Sequence, residues 1–330
     1  TTEIAGLAAG YYLVKDTDSS LANKNDSYTA YILQVVGDAT TSVKSDVPSS
    51  EKKVKDINDS TDTETTEWQD AADWDIGDEV PFKIEGTLPS NYDKYKKYTL
   101  KFHDKEEEGL TFKSETVKVF IDNTEITEGF RVVVNPEDND TFDVVFDNLK
   151  TTSAKNNSVI RVEYKSVLNK KANLGKPGNK NTMYMEFSNN PNNEQGGEFG
   201  KTPDDTVIVF TYKVDVNKVD EQGNKLTGAE FTLEKKIKGT KDTWKAITKV
   251  SGTAGDVFEF KGIDDGEYRL TETRAPANYD KLSDPIYFTV TAGHVDGANP
   301  YLDTFSGNIT SGNVGTMTFT ANKDSGILST

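Results

Sequence analysis

The run Tyr268-Arg269-Leu270-Thr271-Glu272 sets the tightest limit on what this chain can fold into. In a strand, side chains alternate between faces, so Tyr268, Leu270 and Glu272 point the same way. Two apolar residues mark that face as core, and a carboxylate is carried into it. A lone buried carboxylate is costly, so it takes up a proton or finds a cation. Period-two runs of this kind recur along the chain between turn residues, and long amphipathic helices are hard to find. The fold is therefore expected to be all-β, made of sandwiches.

Three segments separate. Residues 1–46 hold two strand-like runs, Gly10-Tyr11-Tyr12-Leu13-Val14 and 27–36, too few for a sandwich, and read as the tail of a domain whose first part is missing. Residues 47–211 form a second unit, with strands expected at 79–85, 98–103, 117–121, 130–134, 141–146, 159–166 and 183–187 and a polar loop at 59–67. Residues 212–330 form a third, with strands expected at 229–233, 257–260, 266–273, 286–290 and 316–321 after a turn at Gln222-Gly223-Asn224.

Composition removes several function classes. The net charge of −17 argues against nucleic acid and anionic membrane, which need clustered Lys and Arg. With no cysteine, disulfides and thiolate metal sites are excluded, and two histidines far apart, His103 and His294, make a zinc or Ser-His-Asp centre a poor expectation. No run approaches the roughly 20 apolar residues of a membrane span, and no leader is visible, as expected of a mature fragment. The acidic runs Asp264-Asp265-Gly266 and Glu137-Asp138-Asn139-Asp140 lack fixed calcium-ligand spacing, so no metal and no cofactor is expected.

Lys218 follows Val214 and Val216 at period two, which aims its ammonium end at the core side of the third unit's first strand. Asn322 sits near the end of its last expected strand, and first and last strands of such sandwiches are commonly neighbours. Burial lowers a lysine pKa and raises that of a glutamic acid. A neutral Lys218 amine can then attack Asn322 Cγ while Glu272 shuttles protons, expelling ammonia and joining two strands by an amide. One feature of the pattern resists this: Asn322 alternates with Met317, Phe319 and Ala321, so it falls on the polar face unless a bulge or strand end intervenes.

The residues Val216-Asn217-Lys218-Val219-Asp220, Leu226-Thr227-Gly228-Ala229-Glu230-Phe231, the segment Tyr268 to Tyr279 with its Glu272, and Asn322-Lys323 together resemble a CnaB-type domain of Gram-positive surface proteins. The Glu272 segment is similar to the E-box of shaft pilins. Residues 47–211 resemble the CnaA-type domain that precedes it, through Pro48-Ser49-Ser50-Glu51-Lys52-Lys53-Val54, Phe102-His103-Asp104, Gly109-Leu110-Thr111-Phe112 and Tyr184 to Pro191. The resemblance implies Lys52 as nucleophile, Asp104 as proton shuttle and Asn189 as acceptor, with Lys53 and Asn190 as the off-by-one alternatives. It also implies that a lysine near the first junction receives the next subunit's C-terminal Thr from a class C sortase, for which Lys44 is the candidate by position.

On this resemblance the chain is expected to be the major (shaft) pilin of a sortase-assembled pilus, with CnaA-like and CnaB-like sandwiches in an elongated array. The bonds implied are Lys218–Asn322 and Lys52–Asn189. The partners implied are identical pilin subunits, the sortase, minor pilins and host surface ligands, with no nucleic acid and no membrane insertion. Its place would be the cell wall and the extracellular pilus. A monomeric wall-anchored adhesin of the same domains is the alternative. A glycosidase is disfavoured, because Glu272 and Asp104 fall in different units and cannot pair.

Overall fold

The computed structural model describes residues 4–17, 20–38, 46–56, 67–237, 243–247, 249–251, 257–312 and 318–330. Lys44, most of the polar loop expected at 59–67 and the start of the strand expected at 316–321 lie outside these residues. The described secondary structure is strand throughout, apart from two short 3-10 turns, Tyr92–Lys94 and Leu149–Thr151. Among the described residues, no helix is long and apolar enough to cross a membrane.

The first segment is a single antiparallel ribbon of β1 (Gly10–Lys15) and β2 (Ala30–Val35). Two strands cannot enclose a core, and Tyr11, Leu13 and Ile32 are left exposed. The connection between them is pinned to the next unit instead. Asn189 Nδ2 donates to the carbonyls of Lys24 and Asp26, each at 3.0 Å, and the Tyr28 N–H donates to the Asn189 carbonyl at 2.7 Å.

The middle sandwich comprises β3 (Ser49–Val54), β4 (Ala71–Asp73), β5 (Glu79–Thr87), β6 (Leu100–Glu106), β7 (Leu110–Ile121), β8 (Thr124–Ile126), β9 (Arg131–Val134), β10 (Phe142–Phe146), β11 (Val159–Leu168), β12 (Asn179–Ser188), β13 (Phe199–Lys201) and β14 (Asp205–Phe210). One sheet runs β4-β14-β12-β6-β10-β9, with β13 on the end of β12; the other runs β3-β5-β11-β7-β8. Alternate residues of β5, β11 and β12 turn inward, so Phe82, Ile84, Val162, Tyr164, Met183 and Met185 meet between the sheets. Burying that apolar surface is what holds the sheets face to face.

The third sandwich comprises β15 (Tyr212–Asn217), β16 (Glu230–Ile237), β17 (Thr243–Ile247), β18 (Lys249–Ser251), β19 (Val257–Ile263), β20 (Gly266–Arg274), β21 (Ile286–Val295), β22 (Tyr301–Ser311), β23 (Thr320–Asn322) and β24 (Ile327–Ser329). Its sheets run β18-β19-β15-β24-β23 and β17-β16-β20-β21-β22. The final strand does lie beside the first, and parallel to it, but that strand is β24, with Lys213 opposite Ile327 and Asp215 opposite Ser329. The expected final strand at 316–321 is represented by the short β23, which hairpins onto β24 away from β15.

The two sandwiches are joined tightly. Only Thr211 separates β14 from β15, and Ala71, Ile208 and Phe210 pack into the third unit's core. Asp264, in the acidic run that lacks calcium-ligand spacing, is buried here. It accepts from the fully buried Lys235 Nζ at 3.0 Å, while Asp75 receives the same ammonium at 3.4 Å and the Asp264 N–H at 3.0 Å. Burial and the neighbouring Asp73 push the Asp264 carboxyl well above the usual range.

Candidate functional site

Lys52 lies on β3 with its side chain turned between the two sheets, and it is 0% exposed. Its ammonium group donates to Asp104 Oδ2 and, at 2.6 Å, to Tyr164 Oη. The Tyr164 hydroxyl donates in turn to Asp104 Oδ2 at 2.7 Å. Asp104 comes from β6 and Tyr164 from β11, so the cluster bridges the sheets. Burial lowers the Lys52 pKa and raises that of Asp104, against the attraction between the two. Both shifts favour a neutral amine beside a carboxyl that readily accepts a proton.

The asparagine at this cluster is Asn181, not Asn189. Asn181 Nδ2 donates to Tyr164 Oη at 2.8 Å and to Glu106 Oε1 at 3.3 Å, and Asn181 Oδ1 is buried with no hydrogen bond. Register decides the matter. Met183 is opposite Asp104 and Asn181 is opposite Glu106. Asn189 is six residues beyond Met183, which at the rise of a strand places it about 20 Å from Lys52's partner. Its amide is committed to the Lys24 and Asp26 carbonyls. The expected Lys52–Asn189 pairing is therefore corrected. The off-by-one alternatives are also engaged elsewhere: Lys53 Nζ donates to Asp70 at 2.6 Å and Asn190 Nδ2 to Glu198 at 2.7 Å.

The residues that sequence reasoning missed are Asn181, Tyr164 and Glu106. Positions 179, 181, 183, 185, 187 and 189 all share one face of the strand, so period alone cannot choose among its asparagines. A signal was present in β6, where Asp104 and Glu106 fall on one face and call for a polar partner on the neighbouring strand.

In the third sandwich the structure brings two of three expected residues together. Lys218 follows the end of β15, and its Nζ lies 3.1 Å from Glu272 Oε1. The Glu272 side chain is fully buried, and its Oε2 accepts the Leu282 N–H at 2.9 Å. Asn322 is elsewhere. It is exposed in the β23–β24 hairpin, opposite Ile327, and its Oδ1 accepts the Ser325 N–H at 3.2 Å. Since Ile327 is level with Lys213, Asn322 sits five residues, about 16 Å, short of Lys218 along the sheet. The Lys218–Asn322 pairing is corrected for this arrangement, and the reason is the alternation already noted: Phe319 packs on the core and Asn322 takes the polar side.

A family model described as the SpaA prealbumin-like fold domain matches residues 212–300. Over 329 residues the chain is 27% identical to the trypsin-resistant surface T6 protein of Streptococcus pyogenes serotype M6, an alignment covering 91% of this chain and 56% of that protein. The chain thus spans about half the length of that relative. Among solved structures, the T6 backbone pilin of serotype M6 Streptococcus pyogenes superposes with a TM-score of 0.63 at 19% identity, covering 98% of this chain and 79% of the other. The 35 kDa C-terminal fragment of the major pilin GBS80 of Streptococcus agalactiae gives 0.54 at 23% identity, covering 74% and 91%. BcpA, the major pilin subunit of Bacillus cereus, gives 0.53 at 21% identity, covering 87% and 82%. The architecture of the chain is the multi-domain all-β fold of these proteins.

Proposed function

We propose, for a chain whose sequence relative and fold neighbours are backbone pilins of Gram-positive bacteria, that it is the shaft subunit of a covalent surface pilus, with units at 1–46, 47–211 and 212–330. A class C sortase joins identical subunits end to end outside the cell, and the middle unit carries an internal Lys52–Asn181 amide. The observation that carries this reading is the sealed cluster of Lys52, Asp104, Tyr164 and Asn181, a nucleophile, a base and an acceptor held between two sheets.

The chemistry follows from burial. Desolvation favours the neutral amine of Lys52, and Asp104 takes the proton that Nζ sheds on bonding to Asn181 Cγ. Fixing the partners in the folded core supplies much of the rate. Each bond forms once per molecule, so the role is structural and there is no turnover.

The mechanical benefit can be traced through the topology. Lys52 belongs to the strand by which the chain enters the middle sandwich, and Asn181 to β12 on the opposite sheet. A pull on the ends then passes from Lys52 through the bond to Asn181. The strands between them carry no load. The half-site at Lys218 and Glu272 has its base and nucleophile in place, and completing it needs a carboxamide beside Lys218.

The test is co-expression with a class C sortase in a Gram-positive host. Surface extracts boiled in detergent should show a ladder of multiples of the subunit. A single monomeric band, beside a sortase that polymerises its own pilin in the same cells, would defeat the shaft reading and leave the adhesin.

A further inference from the structure

Forming the Lys52–Asn181 amide takes two proton transfers, and Asp104 accounts for one. The leaving nitrogen, Asn181 Nδ2, must gain a proton before it departs as ammonia. We propose that Glu106 is a second catalytic carboxyl, the general acid that protonates Asn181 Nδ2. This rests on the crosslink reading above.

Geometry carries it. Glu106 is two residues from Asp104 on the same face of β6 and directly opposite Asn181 in the β6–β12 ladder. Its Oε1 is 3.3 Å from Asn181 Nδ2 and is fixed by the Ser166 hydroxyl, while Oε2 is buried with no hydrogen bond. The groups facing it are Asp104 from its own strand, Tyr164 and Ser166 from β11, Asn181 from β12 and Lys52 from β3. Burial, reinforced by Asp104, pushes its pKa to about 8, so it holds its proton at neutral pH as an acid must. A residue placed only to accept a hydrogen bond from an asparagine needs no ionisable group, and a sealed core is a costly place for one.

The step balances. The Lys52 Nζ–Asn181 Cγ bond forms and the Cγ–Nδ2 bond breaks. The amine gives one proton to Asp104, Glu106 gives one to Nδ2, and ammonia leaves. Asp104 then holds the proton that Glu106 lost, and passing it along the face they share restores the starting state.

The full chain with Glu106→Gln tests this, because glutamine keeps the shape and the neutrality of the protonated acid. Intact mass would be followed with time after purification at pH 7, with wild type, Glu106→Asp and Asp104→Asn in parallel. The expected result is wild type already lacking ammonia and Glu106→Gln losing it roughly 100-fold more slowly, the scale of general acid catalysis. Glu106→Asp, which keeps an acid, should link faster than Glu106→Gln. Glu106→Gln as fully linked as wild type at the first time point overturns the proposal while leaving the crosslink intact, and equal rates for the Asp and Gln variants do the same. Wild type with no Lys52–Asn181 link would overturn both readings.

Discussion

Replacing Asn181 or Asn189 by alanine separates the register seen in the structure from the pairing that periodicity suggests. Asn181→Ala removes the acceptor, so the chain should keep its full mass at Lys52. The bond it forfeits closes a loop of about 130 residues, for which the chain-entropy relation for crosslinks gives about 5 kcal/mol. For a domain of this size, 1 kcal/mol moves the midpoint by about 2–4 °C, so the middle unit should melt roughly 10–20 °C lower. Asn189→Ala should leave the crosslink formed and cost about 1–3 kcal/mol locally, because two carbonyls of the 24–26 segment lose their donor. Intact mass and scanning calorimetry on both variants give the answer. The reasoning is refuted if Asn181→Ala still loses ammonia at Lys52, or if Asn189→Ala alone abolishes the loss.

Three further outcomes follow. Glu106 binds its proton more tightly folded than unfolded, so its contribution to stability falls as pH rises from about 4.5 to about 8, by at most about 5 kcal/mol; urea midpoints at pH 5 and pH 9 should therefore diverge less in Glu106→Gln than in wild type, and parallel behaviour would contradict the assignment. Lys235→Met strips the buried Asp264 of its cation and should cost about 3–5 kcal/mol, seen by calorimetry as a lower third-unit transition; an unchanged transition would mean the ion pair contributes nothing. With the last strands as they stand, tryptic peptides holding Lys218 and Asn322 should run separately, and a joined peptide would show that residues 318–330 take another arrangement in solution.

Much of this was legible in the chain. Alternation placed Lys218 and Glu272 on core faces, the resemblance to CnaA-type domains pointed to Lys52 and Asp104, and the structure puts Lys52 against Asp104 and Lys218 against Glu272. Both acceptors were misplaced, for one physical reason. Which face a residue takes is set within a strand, whereas which residue it opposes is set by register between strands far apart in sequence. Asn181 and Asn189 are equivalent in face and differ only in register. Asn322 failed on both counts, since alternation set it on the polar side and β24 took the place beside β15. The buried Asp264 was illegible because its cation, Lys235, and its neighbour, Asp75, come from distant parts of the chain.

The most direct test of the account is the intact mass of the wild-type chain with mapping of its digested peptides. One amide between lysine and asparagine removes one ammonia, about 17 Da. The account predicts that deficit with the peptides of Lys52 and Asn181 covalently joined. A mass equal to the sequence, with those peptides separate, would mean that Lys52, Asp104 and Asn181 are only a buried polar cluster and that the middle unit bears load on its packing alone.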